Sequence, residues 1–381
     1  MTLVDLFAGA GGASLGAHAA GFEVEAVELN ADAVATHRAA LPGVVHHCDV
    51  REWRPSGPVG VVWASPPCQC WSSAGNRLGA RDTARNGFPW TWAAVDRAAP
   101  RWLVIENVPA LTYHSRRHCG DPNYCPGCYW REVVLPAARA RFECVTWRIV
   151  NAADHGVPQT RRRVFLVAGP RPYTWPTPTH CDPSDPLLLA TGRRPWVSMG
   201  AALGLSCVVD GMRNTPANPR QERPRGSHEP APTMGGGGNM IVRIIGGGGN
   251  PHGKDRPHER NFRDLTDGPS VTIAASHVGN RGPWVCDLPA PKVDANEVKG
   301  HTNPHTRIRN AGRINRPSDA LFLGTGRRRL TPAECATLQG FPADYPWTGA
   351  TKSSVYRQIG NAVPPPVAEA LLRNIPKEES A

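Results

Sequence analysis

An α/β fold with a doubly wound, mostly parallel sheet is predicted by three observations. Apolar strand-like runs alternate with helical patterns from residue 2 to about 170. The first run opens into a glycine turn, and reactive side chains collect just beyond the ends of several runs. The runs are Leu3–Phe7, Val24–Glu28, Val44–Cys48, Val59–Ala64, Trp102–Glu106, Cys144–Val150 and Arg163–Ala168, with Ala-rich helical segments such as Ser14–Ala20 and Ala31–Ala40 between them. Such alternation is the pattern of parallel strands joined by crossover helices.

The first run leads into Asp5-Leu-Phe-Ala-Gly9-Ala-Gly11-Gly12. Glycines at a strand-to-helix turn let backbone approach a ligand, and the following helix N-terminus favours negative charge there. Glu28 ends the second run, ~20 residues on, where an acid typically holds ribose hydroxyls. Asp49 is expected at the end of the third, placed to contact a base. Because the glycines do not follow GxGxxG, this turn alone leaves NAD, FAD and S-adenosylmethionine open.

Pro66-Pro67-Cys68-Gln69 follows the fourth run. Two prolines fix φ and stiffen the turn, which holds Cys68 out of the core; a thiolate so presented is a nucleophile. Glu106-Asn107-Val108 closes the fifth run, which brings a carboxyl to the same sheet edge. Gln159-Thr-Arg161-Arg-Arg163 precedes the seventh, and Gln358-Ile-Gly360-Asn361-Ala-Val363-Pro364 lies near the C-terminus.

After about residue 172 the texture turns to Pro, Gly, His and Arg, with short strands expected at Met240–Ile245 and Ser270–Ala274 and Gly-rich blocks at Gly235–Asn239 and Gly246–Asn250. Helical periodicity resumes at Thr331-Pro332-Ala333-Glu334, a capping box with proline at the first helical position. Three units are expected: 1–174, 175–326 and 327–381.

The net charge is +11, carried by Arg, since Lys occurs only five times. Arg forks suit phosphates and guanine edges, so a nucleic-acid partner is expected. Eleven cysteines spread over 381 residues do not make a compact secreted disulfide scaffold. The opening MTLVDLFAGAGG reads as strand and turn rather than as a signal peptide, and no apolar run reaches membrane-spanning length.

Taken in order, DLFAGAGG, PPCQ, ENV, QTRRR, RRLTPAECATLQGFP and GNAVP resemble the DNA (cytosine-5) methyltransferase family over residues 1–170 and 327–372. The resemblance implies a Rossmann-like, S-adenosylmethionine-dependent methyltransferase domain interrupted by a smaller, irregular target recognition domain at 175–326. It implies methylation at carbon 5 of a cytosine flipped out of a specific double-stranded DNA site, in a restriction-modification setting. By the same resemblance Cys68 is the nucleophile and Glu106 the acid at cytosine N3. Arg163 contacts the cytosine carbonyl, and Arg161 stabilises the loop that carries Cys68. Phe7, Gly9, Gly11, Glu28, Asp49, Ser65, Asn361 and Val363 line the S-adenosylmethionine pocket. A cytoplasmic monomer of bacterial or phage origin is the matching expectation. RNA cytosine is the alternative substrate.

One stretch departs from the family. Between ENV and QTRRR stand His114, His118, Cys119, Cys125 and Cys128. Cys125-Pro-Gly-Cys128 has the spacing that lets two thiolates share a zinc ion. Cys119 and a histidine, His118 or His114, would complete a structural site within 114–128, with His118 taken as the fourth ligand.

Overall fold

The structure is a computed structural model. It describes residues 1–67, 70–71, 79–115, 118–185, 188–204 and 328–377, with strand segments 208–212, 239–243, 270–271 and 284–285 between. Seven strands form the main sheet: β1 (Thr2–Leu6), β2 (Glu23–Glu28), β3 (Val44–His47), β4 (Val61–Ala64), β5 (Trp102–Asn107), β6 (Cys144–Asn151) and β8 (Arg162–Gly169). Their order is β3-β2-β1-β4-β5-β8-β6. The five strands β3 to β5 run parallel, whereas β8 runs antiparallel to both of its neighbours, β5 and β6. A two-residue strand, β7 (Gln159–Thr160), pairs outside the sheet with Ser270–Val271.

Both faces of the sheet are covered, so its central strands read as unbroken apolar runs. Alternate residues divide between two cores. Val4, Leu6, Val62, Ala64, Leu103 and Ile105 pack with α3 (Phe88–Ala98) and the helical stretch Pro126–Arg139 through Phe88, Trp92, Trp130 and Val134. Leu3, Val61, Trp63, Trp102 and Val104 face the other way. There α1 (Gly12–Ala19) and the helix Pro365–Arg373 contribute Ala13, Ala17, Val367, Leu371 and Leu372.

Residues from the far end of the chain thus build the layer over the first strand. Gly16 makes this possible: a Cβ there would lie 2.6 Å from the Pro365 carbonyl oxygen and 2.7 Å from the Glu369 nitrogen. α2 (Ala31–Ala40) starts at an Asn30 cap, whose side chain accepts from the Ala33 amide at 3.0 Å. The capping box expected at Thr331 is formed and starts the helix Pro332–Leu338.

Of the two strands expected in the middle region, the described parts are Asn239–Arg243 and Ser270–Val271. The Gly-rich blocks lie outside the described residues, except for Asn239. Among the described residues, no helix is long and apolar enough to cross a membrane.

Candidate active site

The sheet reverses its winding between β1 and β4, and ligands of open α/β sheets sit beyond the carboxyl ends of the strands at such a point. The glycine turn leaves β1 there. Phe7, Gly9 and Gly11 all take positive φ (60°, 55° and 92°), a region costly for Phe7 and natural for glycine. A Cβ on Gly9 would meet nothing within 4 Å, so the turn borders open space on that side. Glu28 spans the turn and the end of β2: its carboxylate accepts from the Gly9 amide at 2.8 Å and from the Asn30 amide at 2.7 Å.

Asp49 lies two residues past β3 rather than at its end, because the strand stops at His47. Its carboxylate is gripped by Arg51 at 2.7 and 3.0 Å, which holds its pKa below the ordinary range. Asn361 ends the helix Lys352–Asn361, and Val363 is buried with its carbonyl oxygen where a Cβ on Gly12 would stand, 2.2 Å away. Tyr345 also donates to the Ala10 carbonyl. The C-terminal segment is therefore one wall of the turn.

Beneath the turn, Asp5 is 1% exposed and accepts from the Ser14 hydroxyl at 2.6 Å. Burial raises its pKa from 3.8 to about 7, against the Ser14 bond and with help from the Glu28 charge.

On the other side of the switch point lie the residues of ENV and QTRRR. Glu106, at the end of β5, is buried and pairs with Arg163 Nε at 3.0 Å. Burial pushes its carboxyl above the usual range; the Arg163 and Arg161 charges and the Ser65 hydroxyl pull it back, and burial wins. Ser65 in turn accepts from Trp63 Nε1 at 3.1 Å, and its own amide bonds to Leu6 at 3.2 Å. The neighbouring Asn107 donates to the Pro66 carbonyl at 3.2 Å, which fastens the prolines to β5. Cys68 and Gln69 lie outside the described residues.

Arg161 is 2% exposed and donates to the Gly360 carbonyl at 3.0 Å, so it joins β7–β8 to the C-terminal helix pair. A buried amide chain does the same. Gln159 donates to Gln339 at 2.8 Å, and Gln339 donates to the Ala362 carbonyl at 2.6 Å. Sequence reasoning gave Gln339 and Asn107 no role, although both lie within quoted motifs.

A separate cluster occupies the insertion. His114, Cys119, Cys125 and Cys128 bring one ligand atom each to within 4.8 Å of one another. His118, the histidine expected there, is not among them. Its ring lies 5.3 Å from that of Tyr124, and the histidine in the cluster is His114.

Residues 1–185 and 264–377 match the model of the C-5 cytosine-specific DNA methylases. The Type II methyltransferase M.NaeI of Lentzea aerocolonigenes is 31% identical over 98% of this chain and 74% of its own. M.AplI of Arthrospira platensis is 28% identical over 98% of this chain and 85% of its own. Among solved structures, the methyltransferase EhMeth of Entamoeba histolytica superposes with a TM-score of 0.54 at 13% identity, covering 97% of this chain and 96% of that one. The S. pombe Dnmt2 methyltransferase gives 0.53 at 15% identity, with 97% and 96% covered. At such identities the likeness is one of fold.

Proposed function

The chain belongs to the C-5 cytosine-specific DNA methylase family, and we propose that it methylates a cytosine flipped out of a specific double-stranded DNA sequence, through a covalent adduct on Cys68. The observation that carries this reading is Glu106. It is a buried carboxyl of raised pKa at the sheet edge, linked through Ser65 and Asn107 to the segment that precedes Cys68.

Carbon 5 of cytosine is a poor nucleophile. The Cys68 thiolate adds to carbon 6, and the displaced electron pair makes carbon 5 nucleophilic. A proton held on Glu106 goes to N3 and neutralises the charge that develops on the ring. Arg163, already beside Glu106, is placed to hold the ring carbonyl. Carbon 5 then takes the methyl group; loss of its proton to water returns the electron pair, breaks the carbon–sulfur bond and frees Cys68, and the N3 proton goes back to Glu106. None of this is accessible in a stacked duplex, so the base must leave the helix.

S-adenosylmethionine supplies an electrophilic methyl group when bound. The residues fit that donor. The turn at Gly9 borders open space, with the Glu28 carboxylate at the end of β2 and the Asp49 carboxylate, held by Arg51, two residues past β3. Phe7, Gly11, Ser65, Asn361 and Val363 complete the proposed lining. Residues 175–326 are assigned to sequence recognition, the protein to a monomeric state.

The test is methyl transfer from labelled donor to DNA and to tRNA, with 5-fluorocytosine DNA as a trap. Transfer to DNA and a trapped adduct are expected, both abolished in Cys68→Ser with donor binding retained. Full activity in Cys68→Ser would overturn the mechanism, and transfer to tRNA alone would overturn the substrate.

A further inference from the structure

The insertion between ENV and QTRRR plays no part in methyl transfer as derived above, yet its side chains converge. His114 Nδ1 lies 3.6 Å from Cys119 Sγ, 3.7 Å from Cys125 Sγ and 3.5 Å from Cys128 Sγ. A ring nitrogen has one in-plane lobe, so it can make one good hydrogen bond, not three. A shared central ion accounts for all three distances. With metal–sulfur bonds of about 2.3 Å and a metal–nitrogen bond of about 2.0 Å at tetrahedral angles, nitrogen and sulfur sit about 3.5 Å apart.

The backbone is arranged for thiolates as well. The Ser115 amide donates to Cys125 Sγ at 3.2 Å and the Gly120 amide to Cys128 Sγ at 3.2 Å. Cys125 and Cys128 are buried, whereas His114 and Cys119 are exposed, so the site closes from the solvent side. Three soft thiolates and one imidazole select zinc over hard cations, and four protein ligands leave no open position.

Beyond its ligands the insertion has an unusual set of contacts. The Ala80 amide donates to the Asn123 carbonyl at 3.0 Å, and Gly79 is packed so closely on Asn123 that a Cβ would stand 2.0 Å from that oxygen. Arg81 donates to the Tyr124 hydroxyl, with its guanidinium 5.1 Å from the ring centroid. Tyr129, next to Cys128, stacks on Trp71 at 4.5 Å and bonds to Asn86 Nδ2 at 3.1 Å. Residues on both sides of 72–78 are thus held by the four-ligand turn. Residues 70–71 follow Pro66-Pro67-Cys68-Gln69 directly in the sequence.

We propose that His114, Cys119, Cys125 and Cys128 bind one structural zinc ion, and that this knuckle braces residues 70–71 and 79–86. The metal site stands on its own geometry; the importance of the braced segment for catalysis rests on the assignment of Cys68 above. The knuckle makes no step of the chemistry, so its role is positional.

The test uses the full chain purified without chelator. Elemental mass spectrometry should give about one zinc per chain, the content of a closed four-ligand site. Cys125→Ser and His114→Ala should lose the metal, and His118→Ala should keep it. Should Cys125→Ser fail to fold, the exposed Cys119→Ser and cobalt exchange into the wild-type protein, read by tetrahedral thiolate spectra, answer the same question. Hydrogen exchange before and after mercurial release of the metal then reads the brace. Amides in 79–86 should exchange about tenfold faster or more, with β1 and the helix Pro365–Arg373 unchanged. Wild-type protein with little or no zinc, or zinc lost in His118→Ala and kept in His114→Ala, would overturn the site. Full zinc with unchanged exchange in 79–86 after its release would overturn the brace. None of these readings depends on methyl transfer, so a failure of the catalytic assignment would leave them standing.

Discussion

Two buried carboxyls sit near the switch point, and their surroundings divide their tasks. Glu106 faces Arg163 and the Ser65 hydroxyl at the sheet edge, the position proposed above for the acid. Glu106→Gln keeps the hydrogen-bonding shape and removes the deliverable proton. Turnover should fall by ~10²–10⁴, while equilibrium binding to specific DNA changes far less; near-normal turnover would show that another group is the acid. Asp5 is sealed beneath the glycine turn, with a pKa of about 7 in the fold against 3.8 for the free group. The folded protein therefore keeps a proton that the unfolded chain releases. Its contribution to stability is complete below pH 3.8 and is lost as the pH rises through about 7. The loss is on the order of 4 kcal/mol. Denaturant midpoints measured from pH 4 to pH 8 should therefore slope downward more steeply in the wild type than in Asp5→Asn. Equal slopes would remove Asp5 from the account.

At the scale of elements, the closest fit is between α1 and the helix Pro365–Arg373. Gly→Ala within a helix ordinarily stabilises by about 1 kcal/mol. At Gly16 the added methyl would press on backbone, the Pro365 oxygen and the Glu369 nitrogen, which cannot rotate aside. Overpacking costs about 1–3 kcal/mol and should outweigh the helical gain. Gly16→Ala should lower the denaturant midpoint, whereas the same change at Gly57, where a Cβ meets nothing within 4 Å, should not. A stabilised Gly16→Ala would mean that the two helices separate without cost. Many of these elements were legible in the chain. Alternation of apolar runs located all seven main strands to within two residues, and the Thr331 box marked a helix start that forms as expected. The antiparallel insertion of β8 between β5 and β6 was not legible, since an apolar run carries no sign of its direction.

For the molecule as a whole, the charge of +11 and the Arg-rich middle region point to DNA as the surface it meets. If residues 175–326 read the target, exchanging them for a relative's segment should move the methylated sequence to the relative's site, as read by bisulfite sequencing. An active chimera with an unmoved site would place recognition elsewhere. The sequence alone determined the family, because a cysteine after two prolines, a Glu-Asn-Val at the end of an apolar run and a glycine turn are all encoded in short contiguous stretches. The tertiary structure decided which of these stretches meet. Arg161 reaches Gly360, and Gln159 reaches Ala362 through Gln339, contacts that close nearly two hundred residues of chain and have no local signature. The same holds at short range in the insertion. Cys-Pro-Gly-Cys spacing pointed to two members of the cluster, but that His114 rather than His118 meets Cys119, Cys125 and Cys128 depends on the direction in which each side chain leaves the backbone, which spacing along the chain does not record.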